Sequence, residues 1–305
     1  MNSIEISNLT KKYGNFYAVD SLSFEIGKGE FVGFLGVNGA GKSTTVNMLS
    51  TILTPDSGTA FLNGYRLGKD DMDIRRSIGV VYQSNVLDEL FSVKENIVVR
   101  SKMQGLDDKT ISSRLKDLSD VLKLSDIINK KYKVLSGGQK RRCEIAFALM
   151  HSPQILFLDE PTTGLDPATR ADVWEAVEML RKNTDMTVFL TTHYMEEAQS
   201  ADKIIVIDKG KKLAEGTPFE LKDRYAKDSL KLYFTPDKKE RVEAVIGKEK
   251  MTDTTYGACV EAKDPFEAAK SAEGLKGLID GFEIVQGNMD DVFINVTSMN
   301  KGRME

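Results

Sequence analysis

An unbroken apolar run, Phe31–Leu35, gives way to Gly36-Val37-Asn38-Gly39-Ala40-Gly41-Lys42-Ser43, and a helix-compatible stretch follows over residues 42–53. A strand that is apolar on both faces needs helices on both sides, as in a parallel α/β sheet. Glycines between strand and helix leave backbone N–H groups free to curl around an anion, and the helix N-terminus adds partial positive charge. The spacing G-x-x-x-x-G-K-[ST] in that setting marks a phosphate-binding loop. A ligand-free Gly-rich turn is the plain alternative, and the strand-to-helix context disfavours it. Lys42 is suited to neutralise β- and γ-phosphate oxygens, and Ser43 to ligate a bridging Mg2+. The expected cradle is Gly36, Asn38, Gly39, Ala40, Gly41, Lys42, Ser43 and Thr44.

Alternation around the loop supports the α/β reading. Ile4 and Ile6, then Leu22, Phe24 and Ile26, alternate with polar residues as half-buried strands do. Buried strands are expected at 78–82, 155–158, 187–191 and 203–208, with helices at 168–182 and 194–201. Between them, Ile111, Leu115, Leu118, Leu122 and Leu124 recur near helical spacing and a second helix fits 140–150, so residues 84–150 read as a helical insertion. The pattern breaks near Gly216-Thr217-Pro218, which predicts a main domain over 1–217 and a smaller one over 218–305. With 305 residues, 41% apolar and 29% charged, the chain is an ordinary globular one. Its net charge of −4 argues against a broad cationic surface for nucleic acid. Cys143 and Cys259 form no C-x-x-C, and the first nine residues lack a basic start and apolar run, so a reducing, cytoplasmic setting is expected.

The run at 155–158 delivers Asp159 and Glu160 at its carboxyl end, where open parallel sheets place ligands. Strand alternation points the two carboxylates to opposite faces. Asp159 is suited to hold Mg2+ through its water shell, leaving Glu160 to polarise the water that attacks the γ-phosphate. A pair of solvated acids is the alternative reading. Thr191-Thr192-His193 ends the next strand in the same way, and a histidine with its ordinary pKa of ~6.5 can orient water and phosphate. His151 reads as structural.

Leu135-Ser136-Gly137-Gly138-Gln139, between the phosphate loop and the carboxylate pair, resembles the signature of ABC ATPases. Ser136 and the N–H groups at Gly137 and Gly138 form a second anion site at a helix start. One nucleotide cannot use both sites of one chain. The resemblance implies head-to-tail pairing of two nucleotide-binding domains, a homodimer here, with ATP held by one chain's phosphate loop and covered by the other's signature. Tyr13 resembles the aromatic that stacks on adenine. Gln83 resembles the glutamine that reaches metal and attacking water, and Gly164-Leu165-Asp166 the loop that crosses the dimer interface. The implied catalytic set is Glu160, His193, Gln83 and Lys42. The implied metal set is Ser43, Gln83 and Asp159. The implied nucleotide set adds Tyr13, Ser136, Gly137, Gly138, Gln139 and Asp166 to the cradle.

The resemblance covers about residues 2–217 and implies a P-loop NTPase fold of ABC type. Its parts are a mixed sheet core, an antiparallel β edge and a helical subdomain over 84–150, with a small α+β domain appended. Neither heptads nor Cys clusters point to chromosome-maintenance or excision-repair relatives, and a single phosphate loop disfavours a translation-factor relative. What remains is a transporter subunit working with a separate transmembrane permease, peripheral on the inner face of the membrane. A soluble ATPase acting on nucleic acid or ribosomes is the alternative. Residues 83–104, with Phe91, Val86 and Leu87, are where family members receive the permease, a packed surface loop being the plainer reading. Residues 288–297 resemble the closing segment of ATPases serving two-component exporters of the drug-resistance and ABC-2 type, and read equally as an amphipathic helix on its own domain. The basic run Lys130, Lys131, Lys133, Lys140, Arg141 and Arg142 reads as a solvated face.

Overall fold

The computed structural model describes residues 2–182 and 184–301. The chain divides into two compact units, Met1–Glu215 and Gly216–Glu305. The outer ends of the two expected domains, residues 1 and 302–305, lie outside the described residues.

The first unit contains, in order, β1 (Asn2–Tyr13), β2 (Phe16–Gly27), β3 (Phe31–Leu35), α1 (Lys42–Leu49), β4 (Ser57–Leu62), β5 (Tyr65–Arg66), α2 (Asp71–Ser77) and β6 (Ile78–Val81). It continues through α3 (Val93–Met103), α4 (Asp108–Val121), α5 (Gly137–Leu149), β7 (Ile155–Asp159), α6 (Pro167–Lys182), β8 (Thr187–Thr192), β9 (Lys203–Asp208) and β10 (Lys211–Gly216). An antiparallel sheet, β2-β1-β4-β5, faces a six-stranded sheet ordered β10-β9-β3-β8-β7-β6. Within the latter, β3 pairs parallel with β8 and β9, and β7 with β6 and β8. Every residue of β3, β7 and β8 is buried, which is why these strands are apolar at their centres, with threonines and Asp159 confined to their ends.

Helix boundaries differ from expectation for local reasons. α1 stops at Leu49 and not at residue 53, because Thr51 takes φ +65° and turns the chain away. α5 starts three residues before the expected 140. Ser136 Oγ accepts from the Gln139 N–H while Gln139 Oε1 accepts from the Ser136 N–H, a capping box that was legible as S-x-x-Q. The stretch expected as a helix over 194–201 forms only a 3₁₀ turn, Met195–Ala198.

Four aromatic rings join the two sheets. Phe189 of β8 lies 5.1 Å from Phe34 of β3, 5.4 Å from Phe157 of β7 and 6.1 Å from Phe24 of β2, centroid to centroid. Phe189→Ala removes the shared member of all three contacts from a site that cannot collapse without moving both sheets. It should cost about 3–5 kcal/mol, read as a lowered chemical-denaturation midpoint; a loss below ~1 kcal/mol would mean that the sheets close over the hole.

The second unit runs α7 (Pro218–Tyr225), β11 (Asp228–Tyr233), α8 (Lys239–Ile246), β12 (Met251–Thr254), β13 (Gly257–Ala262), α9 (Pro265–Gly274), β14 (Gly281–Val285) and α10 (Met289–Lys301). From β11 to β14 this is β-α-β-β-α-β with sheet order β12-β13-β11-β14, the split βαβ arrangement. Leu230, Leu232, Ala258, Val260 and Ala262 face Val242, Ala268 and Ala272 of the helices in one core. α10 packs on α7, with Leu221, Met289, Val292 and Val296 buried and Asn295 Nδ2 donating to Tyr225 O at 2.7 Å. Met289, Val292 and Val296 of the closing segment are thus used inside their own unit, while Ile294 stays exposed. Among the described residues, no helix is long and apolar enough to cross a membrane.

Candidate active site

Four adjacent strands of the central sheet end together. Their register sets Leu35 beside Thr192, Thr191 beside Asp159, and Leu158 beside Val81. The residues that follow β3, β8, β7 and β6 therefore meet at one edge, the carboxyl edge where parallel sheets hold ligands. The loop after β3 reaches α1 through Gly41, which has φ +106° and stands so close to β2 that a Cβ would lie 2.4 Å from Ala18 O. Only glycine fits both demands.

Lys42 is 4% exposed. Its Nζ donates to Gly36 O at 2.8 Å and Val37 O at 3.2 Å, and pairs with Glu160 Oε1 at 3.0 Å. Asp159 Oδ1 accepts from Ser43 Oγ at 3.1 Å and from Thr191 Oγ1 at 2.5 Å. Glu160 Oε2 accepts from Gln83 Nε2 at 3.3 Å and Thr163 Oγ1 at 3.1 Å. His193 Nδ1 lies 3.2 Å from the same oxygen, in ion-pair range but without hydrogen-bond geometry. His151 stands apart, its Nε2 on Ile78 O at 2.8 Å and its pKa pushed down by burial.

The expectation that the two carboxylates point to opposite faces is wrong. Both reach the phosphate loop, Asp159 through Ser43 and Glu160 through Lys42. β7 ends at Asp159, and Glu160 turns to φ +47°, so strand alternation no longer governs it. Such a φ is costly for a non-glycine residue and persists only where the surroundings over-determine it. Here the Glu160 N–H donates to both the carbonyl oxygen and Oγ1 of Thr191.

The two acids are pushed in opposite directions. Burial raises the Glu160 carboxyl, but the hydrogen bond and charge of Lys42, helped by His193 and Thr163, outweigh it and hold the group below the ordinary carboxylate range. Burial also raises Asp159, the charge of Glu160 adds to it, and hydrogen bonds from Thr191 and Ser43 oppose without cancelling. Neighbouring acids separated in this way can take different roles in one reaction.

A cavity of about 420 Å³ opens over these groups, lined by Tyr13, Phe16, Ala18, Asn38, Gly39, Gly41, Lys42, Ser43, Thr44, Gln83 and Glu160. Tyr13 and Phe16 are both more than half exposed at its mouth, open to a planar ring. Gly36, Ala40, Asp159 and His193 are not part of its lining. Ser136, Gly137, Gly138, Gln139 and Asp166 do not line it. Ser136 and Gln139 cap α5, and Asp166 caps α6 by accepting from Thr169 N and Oγ1 at 3.0 and 2.6 Å. Gly138 packs so tightly on α6 that a Cβ would fall 1.9 Å from Thr169 Cγ2.

For Mg2+, the residues present fit. Among the described residues, no three or more His, Cys, Asp or Glu form a metal cage. A single carboxylate and a hydroxyl, Asp159 and Ser43, are what an ion held mainly by phosphates and water requires.

Two surface readings need correction. Arg141 is buried, not part of a solvated face, because its guanidinium turns inward to the carbonyls of Tyr82, Gln83 and Glu160. Leu87 is buried too, while Leu90, 67% exposed, stands with Phe91 on the outside of that segment. The sequence reading passed over Phe16, Thr163 and Thr191. Phe16 had a signal, an aromatic three residues from Tyr13; Thr191 reads only as a strand residue.

The ABC transporter family model matches residues 19–163. The chain is 38% identical to the daunorubicin/doxorubicin resistance ATP-binding protein of Streptomyces peucetius, over 97% of this chain and 92% of that protein. It is 36% identical to the Nod factor export ATP-binding protein I of Burkholderia lata, over 96% of each. A solved ATP-binding cassette, dimeric in a post-hydrolysis state with ADP and Pi bound, superposes with a TM-score of 0.64 at 29% identity, over 70% of this chain and 98% of that one. The chain belongs to the ABC transporter family, as an ATP-binding and ATP-hydrolysing subunit.

Proposed function

We propose that two copies of this chain pair head-to-tail and drive a separate transmembrane permease that exports its substrate, on the inner face of the cell membrane. One observation carries the reading: the signature residues Ser136, Gly137, Gly138 and Gln139 lie off the cavity that holds Lys42, Ser43 and Glu160. A second anion site at the start of α5 that does not face its own phosphate loop can serve another chain's nucleotide. The names of the relatives, a drug-resistance protein and a Nod factor export protein, support outward transport.

In this reading Asn38, Gly39, Gly41, Ser43 and Thr44 cradle the phosphates, with Tyr13 against adenine. Lys42 leaves Glu160 for the γ-phosphate. The freed Glu160 takes a proton from the attacking water, which Gln83 and His193 orient. Ser43 and Asp159, with Gln83 nearby, hold Mg2+, which when bound neutralises developing charge on the phosphate oxygens. Asp166 and its loop meet the partner chain. Residues 1–217 carry this machinery and 218–305 form an accessory domain. Exposed Leu90 and Phe91 offer the permease an apolar contact.

Purification of the tagged chain from a detergent extract tests the reading. A polytopic membrane protein, retained through washing and stimulating ATP turnover when reconstituted, is expected. Nucleic acid or ribosomes in its place would overturn it in favour of a soluble ATPase.

A further inference from the structure

The helix that begins with the signature also carries two buried opposite charges one turn apart. Arg141 and Glu144 of α5 are 6% and 2% exposed and share one helix face. Between them they hold both ends of segment 82–87, which bears Gln83. Arg141 Nη1 donates to Tyr82 O at 2.6 Å, and Nη2 donates to Gln83 O at 3.4 Å and to Glu160 O at 3.3 Å. Glu144 Oε1 accepts from the N–H groups of Val86 and Leu87, at 2.9 and 3.2 Å, and from Tyr132 Oη at 2.7 Å. From α3, Arg100 Nη2 closes on Val86 O at 2.5 Å.

Burying an arginine and a glutamate is expensive unless every donor and acceptor is used. A leucine pair would pack α5 as well. What the charged pair adds is direction: one planar guanidinium, donating from two separate nitrogens, spans carbonyls from two separate loops, those of Gln83 and Glu160, a fixed spread that no apolar side chain and no single lysine nitrogen reproduces. Both loops are thereby tied to α5, whose first turn is the signature.

We propose that Arg141 is a positioning residue for hydrolysis, tying the placement of Gln83 and Glu160 to the helix that the signature opens, with Glu144 holding the far end of the same segment. The inference rests on the proposed roles of Gln83 and Glu160. Contact between α5 and a second chain's nucleotide would then be felt at this chain's own catalytic groups through three hydrogen bonds, with no intervening hinge.

Arg141→Lys is the test, because lysine keeps the charge but has one nitrogen in place of the fork whose two nitrogens reach the three carbonyls. In the full-length chain, kcat should fall about 10- to 100-fold, the scale of a small misplacement of catalytic groups, with KM for ATP unchanged and only a modest drop in thermal midpoint. Combined with Gln83→Ala, it should add little, since the two act in series. Turnover within about twofold of wild type, or losses that multiply as independent effects do, would overturn the proposal. A rise in KM alongside falls in kcat and thermal midpoint would also overturn it, by making Arg141 merely structural. Should Arg141→Lys not fold, Glu144→Gln enters the same cycle under the same outcomes; it keeps the acceptor for Val86, Leu87 and Tyr132 and removes only the charge facing Arg141. The two readings fail separately: normal hydrolysis by Glu160→Gln sinks the assigned base, whereas a silent Glu160→Gln beside a normal Arg141→Lys sinks only the coupling.

Discussion

Glu160→Gln should bind ATP at least as tightly as the wild type and hydrolyse it about 10²–10⁴-fold more slowly, the range a general base supplies. The tighter binding follows from geometry. Glu160 Oε1 stands 3.0 Å from Lys42 Nζ, so the carboxylate competes with the γ-phosphate for the same cation. Glutamine removes the competitor's charge while keeping an oxygen for Gln83 and Thr163. With ATP bound but not consumed, the pair of chains should stay closed and elute as a dimer. Nucleotide affinity, steady-state turnover and elution volume check the three parts, and normal turnover would remove Glu160 from its role.

Asp159→Asn should give a protein more stable without nucleotide and nearly inactive with it. Asparagine Oδ1 can still accept from Ser43 and Thr191, so the local structure is kept. The folded-state pKa of Asp159 is raised, chiefly by burial, so the native state binds its proton more tightly than the unfolded chain does. Stability from this group therefore falls as pH rises from the ordinary carboxylate value through the folded pKa, and the penalty is full above that value. The thermal midpoint of the ligand-free variant should exceed that of the wild type at pH 7, and the gap should close in acid. Glu160 runs the other way, its lowered pKa contributing stability that is lost as pH falls through the folded value. Turnover should drop at least about 100-fold, since a magnesium ion supplies several kcal/mol of charge stabilisation at the phosphates. A variant less stable than wild type at pH 7 would contradict the sign.

Both predictions concern charge that the fold keeps buried for function. At one sheet edge Lys42 pairs with Glu160 while Asp159 accepts from Ser43 and Thr191, and the aromatic cluster around Phe189 lies in the core of the same sheet. That division, a rigid apolar sheet beneath a tense polar rim, suits a site whose partners must exchange during each cycle.

Much of this was legible in the residues themselves. The strand, loop and helix around Lys42 follow from an apolar run meeting Gly-rich spacing, which is local chemistry. The start of α5 was legible too, had the S-x-x-Q box at Ser136 been weighed as a helix signal above the glycines that follow it. The length of α1 was not, because its end depends on Thr51 adopting φ +65° against its propensity.

By itself the sequence determined the phosphate loop, the order of the motifs, the α/β class and the kinship, because each depends on neighbours along the chain. Only the tertiary structure decided that Asp159 and Glu160 share one face, that Arg141 turns inward, and that residues 228–285 close as a split βαβ sheet. Those outcomes depend on residues far apart in sequence: Thr191 receives the Glu160 N–H across two strands, and carbonyls from Tyr82, Gln83 and Glu160 draw in one guanidinium. Periodicity reports which face a residue takes within an element. Where a chain leaves its strand with φ above zero, or a buried charge finds partners on two distant segments, the surrounding packing decides.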